Sequence, residues 1–379
     1  MTNAEFGDAF TLYGIMAMLF YFPGGFLADR FSARKLITFS LVATAFGGLV
    51  FALIPGFVVL TILFGYWGIT TVFLLWAAMI KATREWGGKL AQGRAFGLLD
   101  GGRGLVSAGA ASLAVLVLAA FLPDNLETIS NEDRTQAIRS VILYYSLLTL
   151  VAAGMTWLFI PDSKFESGTD NRNLFSGLKY IIYNRSVWLQ AVIVVCAYCG
   201  YKGLDYYTTY AVDILGMDEV RAARFMSNAS YLRAVAAIGG GFLADRFTTK
   251  RIIGITFGLV LVSYLSLANI VPETNMLNII YGNMIFTFIA VYALRGVYFA
   301  LLEETKVIGY HTGAAVGLIS VIGFTPDIFF YSAGGRIIDA SPGLPGFRFY
   351  YLFLGAFALL GLIATLILFS KNLFRFRDS

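Results

Sequence analysis

Uncharged apolar runs of about 20 residues recur along most of the chain, and each could cross roughly 30 Å of hydrocarbon as a helix. Inside a bilayer, only helices and closed barrels satisfy every backbone hydrogen bond. The runs are rich in Leu, Ala, Gly and Phe, and they lack the two-residue alternation of barrel strands. Charged residues make up only 13% of the chain, against about a quarter in soluble domains. The sequence therefore predicts an all-α polytopic membrane protein.

The same eight-residue sequence occurs twice. It occupies Gly24–Phe31, the first motif, and Gly240–Phe247, the second motif, so the repeat is 216 residues long. Both copies end an apolar run, and basic residues follow each of them. The repeat is far longer than the units of solenoids or propellers. It indicates two related helical bundles, in residues 1–160 and 187–379, joined by a cytoplasmic linker with an amphipathic helix in residues 161–186.

Eleven spans are predicted, which is an odd number for a duplicated protein. They lie near residues 10–27, 36–54, 57–80, 96–122, 141–160, 187–210, 225–243, 252–271, 276–302, 313–332 and 350–370. A shift by one repeat places the counterpart of the 187–210 span before Met1. We therefore expect Met1 to be an internal methionine of a longer natural chain with one more span, which gives twelve. A genuine short form is the alternative.

The distribution of Lys and Arg predicts the orientation in the membrane. Loops on one side, together with the C-terminal tail, hold 18 of these residues, and the loops on the opposite side hold 6. Positively charged loops stay in the cytoplasm. Both motifs, the linker and the C-terminus are thus expected to be cytoplasmic, in a protein of a bacterial inner membrane. The basic pI near 9.0 reflects this topology, and no clustered basic patch indicates nucleic-acid binding.

The two motifs carry a resemblance to a known family. The residues concerned are Gly25, Asp29 and Arg30 in the first copy and Gly241, Asp245 and Arg246 in the second, each set followed by a basic pair. In this pattern and position they resemble the signature loop of the major facilitator superfamily, except that Ser32 and Thr248 stand where a glycine is usual. The resemblance implies two six-helix bundles around a central cavity, which rock in alternating access.

The chemistry of the motif indicates a contact that can be broken. Gly25 and Gly241 allow close approach to a neighbouring helix, and Asp29 and Asp245 can meet a helix N-terminus or an arginine. We expect these contacts to control the conformational switch. A loop contact with no role in switching is the alternative.

A second pair of related segments starts at Gly93 and Gly313, and each is predicted to open the fifth helix of its half. Glycines and alanines follow Gly93 over several turns. Such small residues allow close helix packing. The span from Phe96 to Phe121 contains no proline, which argues against a multidrug exporter of this superfamily.

Seven ionisable residues fall at membrane depth, where charges are costly and usually face a cavity or one another. They are Asp100, Arg103, Lys202, Asp205, Arg233, Arg295 and Asp327. Asp100 with Arg103, and Lys202 with Asp205, are spaced i and i+3, so each pair can neutralise itself on one helix face. The remainder then carries one net positive charge. Arginine suits carboxylate, phosphate or sulfonate groups, so an anionic substrate is predicted.

Each of these residues also has a second interpretation. Arg295 could pair permanently with Asp327, and Lys202 could extend to the membrane surface. The predicted binding residues are Arg103, Lys202, Arg233, Arg295, Tyr201 and Tyr206; the tyrosines offer apolar faces with hydroxyl groups. Asp327 is predicted to carry protons, and Asp205 and Asp100 are further candidates. Cys196 and Cys199 lie within an apolar helix and are interpreted as packing residues rather than a metal site.

These features together predict a secondary transporter of a small organic anion, coupled to protons or to anion exchange. The chain has no phosphate-binding loop, which argues against an ATP-driven pump, and the chain is not expected to be an enzyme. No cofactor or metal is expected, the partners are the bilayer and the substrate, and the chain is expected to be monomeric. The alternatives are a proton-linked transporter of neutral sugars or drugs, and a transporter-like sensor without net flux.

Overall fold

The computed structural model describes residues 3–120, 130–162, 181–217, 219–305, 307 and 312–374. Within these ranges the chain is helical and contains no strand. The predicted all-α fold is confirmed. Most of the predicted linker, including the first part of its amphipathic helix, lies outside the described residues.

The described chain forms eleven long helices, one for each predicted span. In the first half they are α1 (Asn3–Arg30), α2 (Ala33–Phe51), α3 (Phe57–Gly87), α4 (Gln92–Ala120) and α5 (Asn131–Phe159). In the second half they are α6 (Arg185–Asp213), α7 (Glu219–Phe247), α8 (Thr249–Asn269), α9 (Thr274–Glu304), α10 (Thr312–Ala340) and α11 (Leu344–Phe374).

Nine of these described helices are long and apolar enough to cross a membrane. The other two are α4 and α7, and these are the helices that carry Asp100, Arg103 and Arg233. Charges within a membrane helix are expensive, so α4 and α7 need partners for them inside the protein.

Several helices depart locally from α-geometry. Residues 69–76 of α3 form a π-helix, and residues 204–206 of α6 and 298–300 of α9 form single 3₁₀ turns. Helix α10 is interrupted after Gly323 and resumes at Pro326. Proline suits a first helical position because it lacks the N–H that would be unpaired there. Asp327 therefore sits at the beginning of a helical segment rather than in the middle of a continuous helix.

The chain divides into two compact units. Within the described residues, the first unit comprises three segments: the chain up to Ala82, Val106–Ile181, and the beginning of α10 as far as Val321. The second unit comprises Thr83–Leu105, Ile182–Val307 and the residues from Ile322 onward. Each unit thus includes the beginning or the end of a helix from the other half of the sequence. The predicted boundaries at residues 160 and 187 stay a prediction.

Close helix packing holds the first unit together. A Cβ atom on Gly24 would lie 2.7 Å from the Phe73 carbonyl oxygen of α3, so only glycine fits there. At the end of α2, the Ala52 carbonyl accepts a hydrogen bond from Arg139 Nε of α5 at 2.9 Å. Arg34, which follows the first motif, bonds Asp162 at 2.8 Å and lies over the Trp157 ring. Helices α1, α2, α3 and α5 are thereby fixed.

Tyrosines form much of the core of the second unit. Tyr207, Tyr210, Tyr264, Tyr350 and Tyr351 are all at most 1% exposed. Their rings meet mostly edge to face, at 5.4 Å between Tyr210 and Tyr351, which is the arrangement that aromatic pairs favour. The Tyr350 hydroxyl donates to the Gly203 carbonyl at 3.1 Å. These tyrosines are packing residues, and they leave other aromatic residues of α6 and α9 to contact the charges.

Candidate functional site

The first motif binds the beginning of helix α10. Asp29, one residue before the end of α1, accepts hydrogen bonds from the backbone N–H groups of Gly313 (2.7 Å) and Ala314 (2.8 Å). The first N–H groups of a helix have no partner within the helix, and the helix dipole favours a negative charge beside them. The predicted contact between Asp29 and a helix N-terminus is present within the first unit.

The second motif repeats this arrangement in the second unit. Asp245 of α7 accepts hydrogen bonds from Gly93 N at 2.7 Å and Arg94 N at 3.0 Å, at the beginning of α4. It also accepts one from Arg94 Nε at 2.8 Å, which the first copy lacks because Ala314 takes the place of Arg94. The second copy is therefore strengthened by a charged side chain.

Both contacts require glycine on each side. A Cβ atom on Gly25 would collide with the backbone of Gly313, and one on Gly241 with the backbone of Gly93. The arginines of the motifs, Arg30 and Arg246, are exposed. Asp29 and Asp245 are thus the residues that hold the helix ends.

A further contact near the second motif was not predicted. Arg84 at the end of α3 bonds Glu303 Oε2 of α9 at 3.0 Å and the Val307 carbonyl at 2.7 Å. Gln92 in turn donates to the Arg84 carbonyl at 2.7 Å. In the sequence, Arg84 and Glu303 resemble ordinary loop charges at the ends of spans. Only the burial of Arg84, whose side chain is 10% exposed, distinguishes the pair.

Asp100, Arg233 and Arg295 form a buried charge cluster on α4, α7 and α9. Arg233 binds Asp100 with two nitrogens, Nη2 at 2.6 Å from Oδ1 and Nε at 3.1 Å from Oδ2. Arg295 Nε lies 3.5 Å from the same Oδ1. The three side chains are between 11% and 19% exposed. One carboxylate therefore faces two guanidinium groups, and the charge cluster keeps one net positive charge.

Arg295 is held by aromatic rings as well as by Asp100. Its Cζ lies 3.8 Å from the centre of the Tyr201 ring and 5.7 Å from that of Tyr198. The two rings are stacked 5.8 Å apart and form an aromatic pair on α6. Such cation–π contacts position an arginine without using its hydrogen-bond donors. Arg295 Nη1 is buried and has no hydrogen-bond partner among the described residues.

A second ion pair lies near the Tyr198 ring of the aromatic pair. Lys202 Nζ is 2.7 Å from Asp327 Oδ1, and the Tyr198 hydroxyl donates to Asp327 at 3.0 Å. The Asp327 side chain is 47% exposed. Nearby, the Tyr331 hydroxyl donates to Asp205 at 2.5 Å, and Tyr206 donates to the Tyr331 carbonyl at 2.9 Å. Tyr198 thus contacts both ionic groups, Asp327 directly and Arg295 through its ring.

The structure changes the pairing that residue spacing predicts. Asp100 binds Arg233 of another helix, and Lys202 binds Asp327 rather than Asp205. Arg295 lies beside Asp100 rather than beside Asp327. Arg103, one turn along α4 from Asp100, has an exposed side chain and still interacts electrostatically with Asp100.

Residue spacing brings some of the predicted residues together and misses others. Tyr201 reaches the charge cluster, whereas Tyr206 and Asp205 belong to the contact with Tyr331. Tyr331 was missed as a candidate site residue; it lies one helical turn from a predicted one, four residues after Asp327. In the described chain, Cys196 and Cys199 are buried free thiols, and no group of three or more metal-binding side chains occurs.

Comparison with known proteins agrees on one family. The family model described as Major Facilitator Superfamily matches residues 1–325. The chain is 30% identical over 386 aligned positions to the inner membrane protein YqcE of Escherichia coli, which covers 98% of the chain and 87% of YqcE. It is 27% identical over 241 positions to a Thermus thermophilus protein named “Probable nitrate/nitrite antiporter NarK1”, which covers 57% of the chain and 51% of that protein.

A solved structure has the same fold. The crystal structure of the fucose:proton symporter FucP of Escherichia coli superposes with a TM-score of 0.74 at 17% identity, over 96% of this chain and 92% of that one. The architecture predicted from the repeat and the spans, that of this superfamily, is thereby confirmed.

Proposed function

This chain belongs to the major facilitator superfamily and is a multi-pass membrane transporter of a small molecule, and we propose that its substrate is a small organic anion. The anion carries a carboxylate, phosphate or sulfonate group and crosses by alternating access. Its movement is coupled to protons, as in a symporter, or to exchange of another anion, as in an antiporter.

The observation that carries this proposal is the unused donor of Arg295. A buried guanidinium nitrogen without a partner is unfavourable, and it lies beside a second arginine in a cluster with one net positive charge. An anion bound at Nη1 would satisfy the donor and neutralise the cluster. Arginine is suited to this because its planar fork of donors matches oxyanions.

The name of one relative supports the same substrate class. The Thermus thermophilus protein is named for nitrate and nitrite, which are small anions, and it aligns with more than half of this chain. The alignment covers only half of that protein, so it supports the sign of the substrate charge and not its identity.

The other predicted site residues take supporting roles in this proposal. Tyr201 holds Arg295 in place, and Lys202 gives a second positive group near the Tyr198 ring. Arg103 on α4 and Tyr206 on α6 are the remaining candidates for contact with the substrate. Asp327, which is half exposed and bound to Lys202, is the proposed proton carrier. Asp205 and Asp100 are the other candidate proton carriers.

The two motifs control the conformational cycle in this proposal. Each aspartate is bound mainly by backbone N–H groups at the end of a helix, and such contacts can break and form again without unfolding a helix. Gly25 and Gly241 allow the close approach, and Arg30 and Arg246 lie on the exposed side. We place the motifs and the C-terminus in the cytoplasm of a bacterial cell, the chain in the inner membrane, and the functional unit as a monomer.

The stacked aromatic pair favours one alternative. Tyr198 and Tyr201 could hold a neutral sugar or drug, with Asp100 as the permanent counter-ion of both arginines. In that case the charge cluster would be structural, and the transporter would couple a neutral solute to protons.

Uptake into proteoliposomes separates these functions. The panel contains lactate, gluconate, glycerol 3-phosphate, methanesulfonate and nitrate as anions and glucose as a neutral solute. We expect uptake of at least one anion, lost in Arg295→Gln and in Arg233→Gln and retained in Arg336→Gln, an exposed arginine of α10. Normal anion uptake by both cluster variants, or uptake of glucose alone, would contradict the proposal.

A further inference from the structure

We propose that Asp100 is a built-in competitor of the transported anion. Its carboxylate occupies Arg233 and approaches Arg295, the two groups that bind the substrate in the proposed function, on which this inference rests. The substrate is then an oxyanion that displaces Asp100, and it does so most readily when Asp100 is protonated.

The geometry of Asp100 is that of a bound carboxylate ligand. Both of its oxygens are engaged by Arg233, through Nη2 at 2.6 Å and Nε at 3.1 Å. This two-point contact is the arrangement in which arginine recognises free carboxylates. A carboxylate of the substrate could therefore form the same bonds once Asp100 has left.

Arg295 offers the position at which an anion can first bind. Its contact with Asp100 is long, 3.5 Å, and involves only Nε. Nη1 is buried and without a hydrogen-bond partner in the described part of the chain. Because Tyr201 holds the guanidinium group at 3.8 Å, this nitrogen stays in place when the contact with Asp100 breaks. An entering anion can bind Nη1 before it competes for Arg233.

The charge of the cluster limits the charge of the substrate. Asp100, Arg233 and Arg295 together carry one positive charge, and Lys202 is already paired with Asp327. One monovalent anion neutralises this excess. As long as Asp100 stays ionised, a divalent anion would leave an unpaired buried negative charge, which is unfavourable in a site shielded from water.

Displacement of Asp100 requires a proton. Its side chain is 11% exposed, and a buried carboxylate without a cation is strongly unfavourable. The charged or titratable groups near it are Arg103 on its own helix, Arg233 on α7, and Arg295 and Tyr298 on α9. If both α7 and α9 arginines bind the substrate, Asp100 is more stable as the neutral acid. Anion and proton then enter together.

The other unit shows that a carboxylate is not needed for helix packing at this place. Asp100 lies seven residues after Gly93, and Ser320 lies seven residues after Gly313. Ser320 accepts a hydrogen bond from Trp76 Nε1 at 2.8 Å. Ala17 is the counterpart of Arg233, because each lies eight residues before the second glycine of its motif. Ala17 is small and buried. A neutral arrangement fills the equivalent place, so the ionic one has a different role.

Anion binding to the purified full chain tests the inference, with nitrate and methanesulfonate as probes because both stay ionised between pH 5 and pH 8. We expect Asp100→Asn to bind the better probe at least about tenfold more tightly than the wild type at pH 7.5, because no internal carboxylate competes. Wild-type affinity should rise as the pH falls, since protonated Asp100 releases the arginines. Affinity of Asp100→Asn should not change with pH.

Kinetics and a charge-balanced variant complete the test. In proteoliposomes, Asp100→Asn should lower KM and abolish proton-driven accumulation. The double variant Asp100→Asn/Arg233→Gln removes one charge of each sign, so it should fold even where Asp100→Asn alone does not. It should bind the probe through Arg295, and its affinity should not depend on pH. Ser320→Ala is the matched control and should behave as the wild type.

Two outcomes overturn the inference. One is an affinity of Asp100→Asn equal to or weaker than that of the wild type, or no probe binding to the double variant. The other is a pH dependence that persists without Asp100. If the wild type transports anions and Arg295→Gln does not, the proposed function stands even when this inference fails. If Arg295→Gln transports anions normally, both fail.

Discussion

The two copies of the repeat are alike where a motif meets a helix end and different two turns further along that helix. Asp29 and Asp245 bind the N-termini of α10 and α4 with the same two backbone bonds. Seven residues after the first bonded glycine, one helix carries Ser320 and the other Asp100. The shared contacts fit the gating role that we propose for both motifs. The charges present in one unit only fit the proposed substrate site.

The largest effect is expected at the position where the units differ. Asp100→Ala leaves two buried arginines without a counter-ion and should lower stability by about 3–5 kcal/mol. Ser320→Ala removes one hydrogen bond and should cost about 1 kcal/mol. Thermal unfolding in detergent micelles measures both. Equal losses of stability in the two variants would show that the charge cluster contributes no more to stability than a single hydrogen bond.

The second effect concerns the position where the units agree. Asp29→Asn and Asp245→Asn each remove a negative charge from a helix N-terminus, where it is worth about 0.3–1 kcal/mol at exposed sites and up to about 2 kcal/mol when partly buried. Transport rates should fall in both, with protein levels near the wild type. Initial rates of uptake in proteoliposomes provide the measurement, and a loss in one variant only would show that the motifs are not equivalent.

The residue after each motif gives a smaller contrast. Thr248 has φ +82°, a left-handed conformation that is strained for a β-branched residue, whereas Ser32 has φ −60°. Thr248→Gly should stabilise the protein by about 1 kcal/mol through relief of this strain. Ser32→Gly should be neutral or destabilising, because glycine only adds freedom to the unfolded chain. Melting temperatures that move in the same direction for both would contradict the difference in backbone conformation.

The smallest effect is expected for the extra side-chain bond of the second copy. The Arg94 side chain is 45% exposed, and exposed ion pairs contribute only about 0.2–1 kcal/mol. Arg94→Ala should therefore change the melting temperature slightly and leave both backbone bonds to Asp245 intact. Ala314→Arg tests the reverse change in the first copy. A severe loss of transport in Arg94→Ala would assign the arginine a role beyond this bond.

The membrane spans and the motif contacts could be predicted because they depend on local properties. An apolar run of about 20 residues is a span whatever its neighbours are, and an aspartate at a helix end readily meets another helix N-terminus. The interruption of α10 before Pro326 is also local, yet the long apolar run concealed it. Arg84 and Glu303 were missed because each looks like an ordinary charge at the end of a span. The sequence does not show that helix packing brings the two together.

The sequence by itself determined the all-α membrane fold, the duplication, and which charged residues fall within the apolar spans. The tertiary structure alone decided how those charges pair. Spacing along one helix favours Asp100 with Arg103 and Lys202 with Asp205, but Asp100 binds Arg233, 133 residues away, and Lys202 binds Asp327. In a low-dielectric interior, the partner of a charge is the opposite charge that helix packing brings within bonding distance. That distance is a property of the packed helices and is not encoded in any single stretch of the chain.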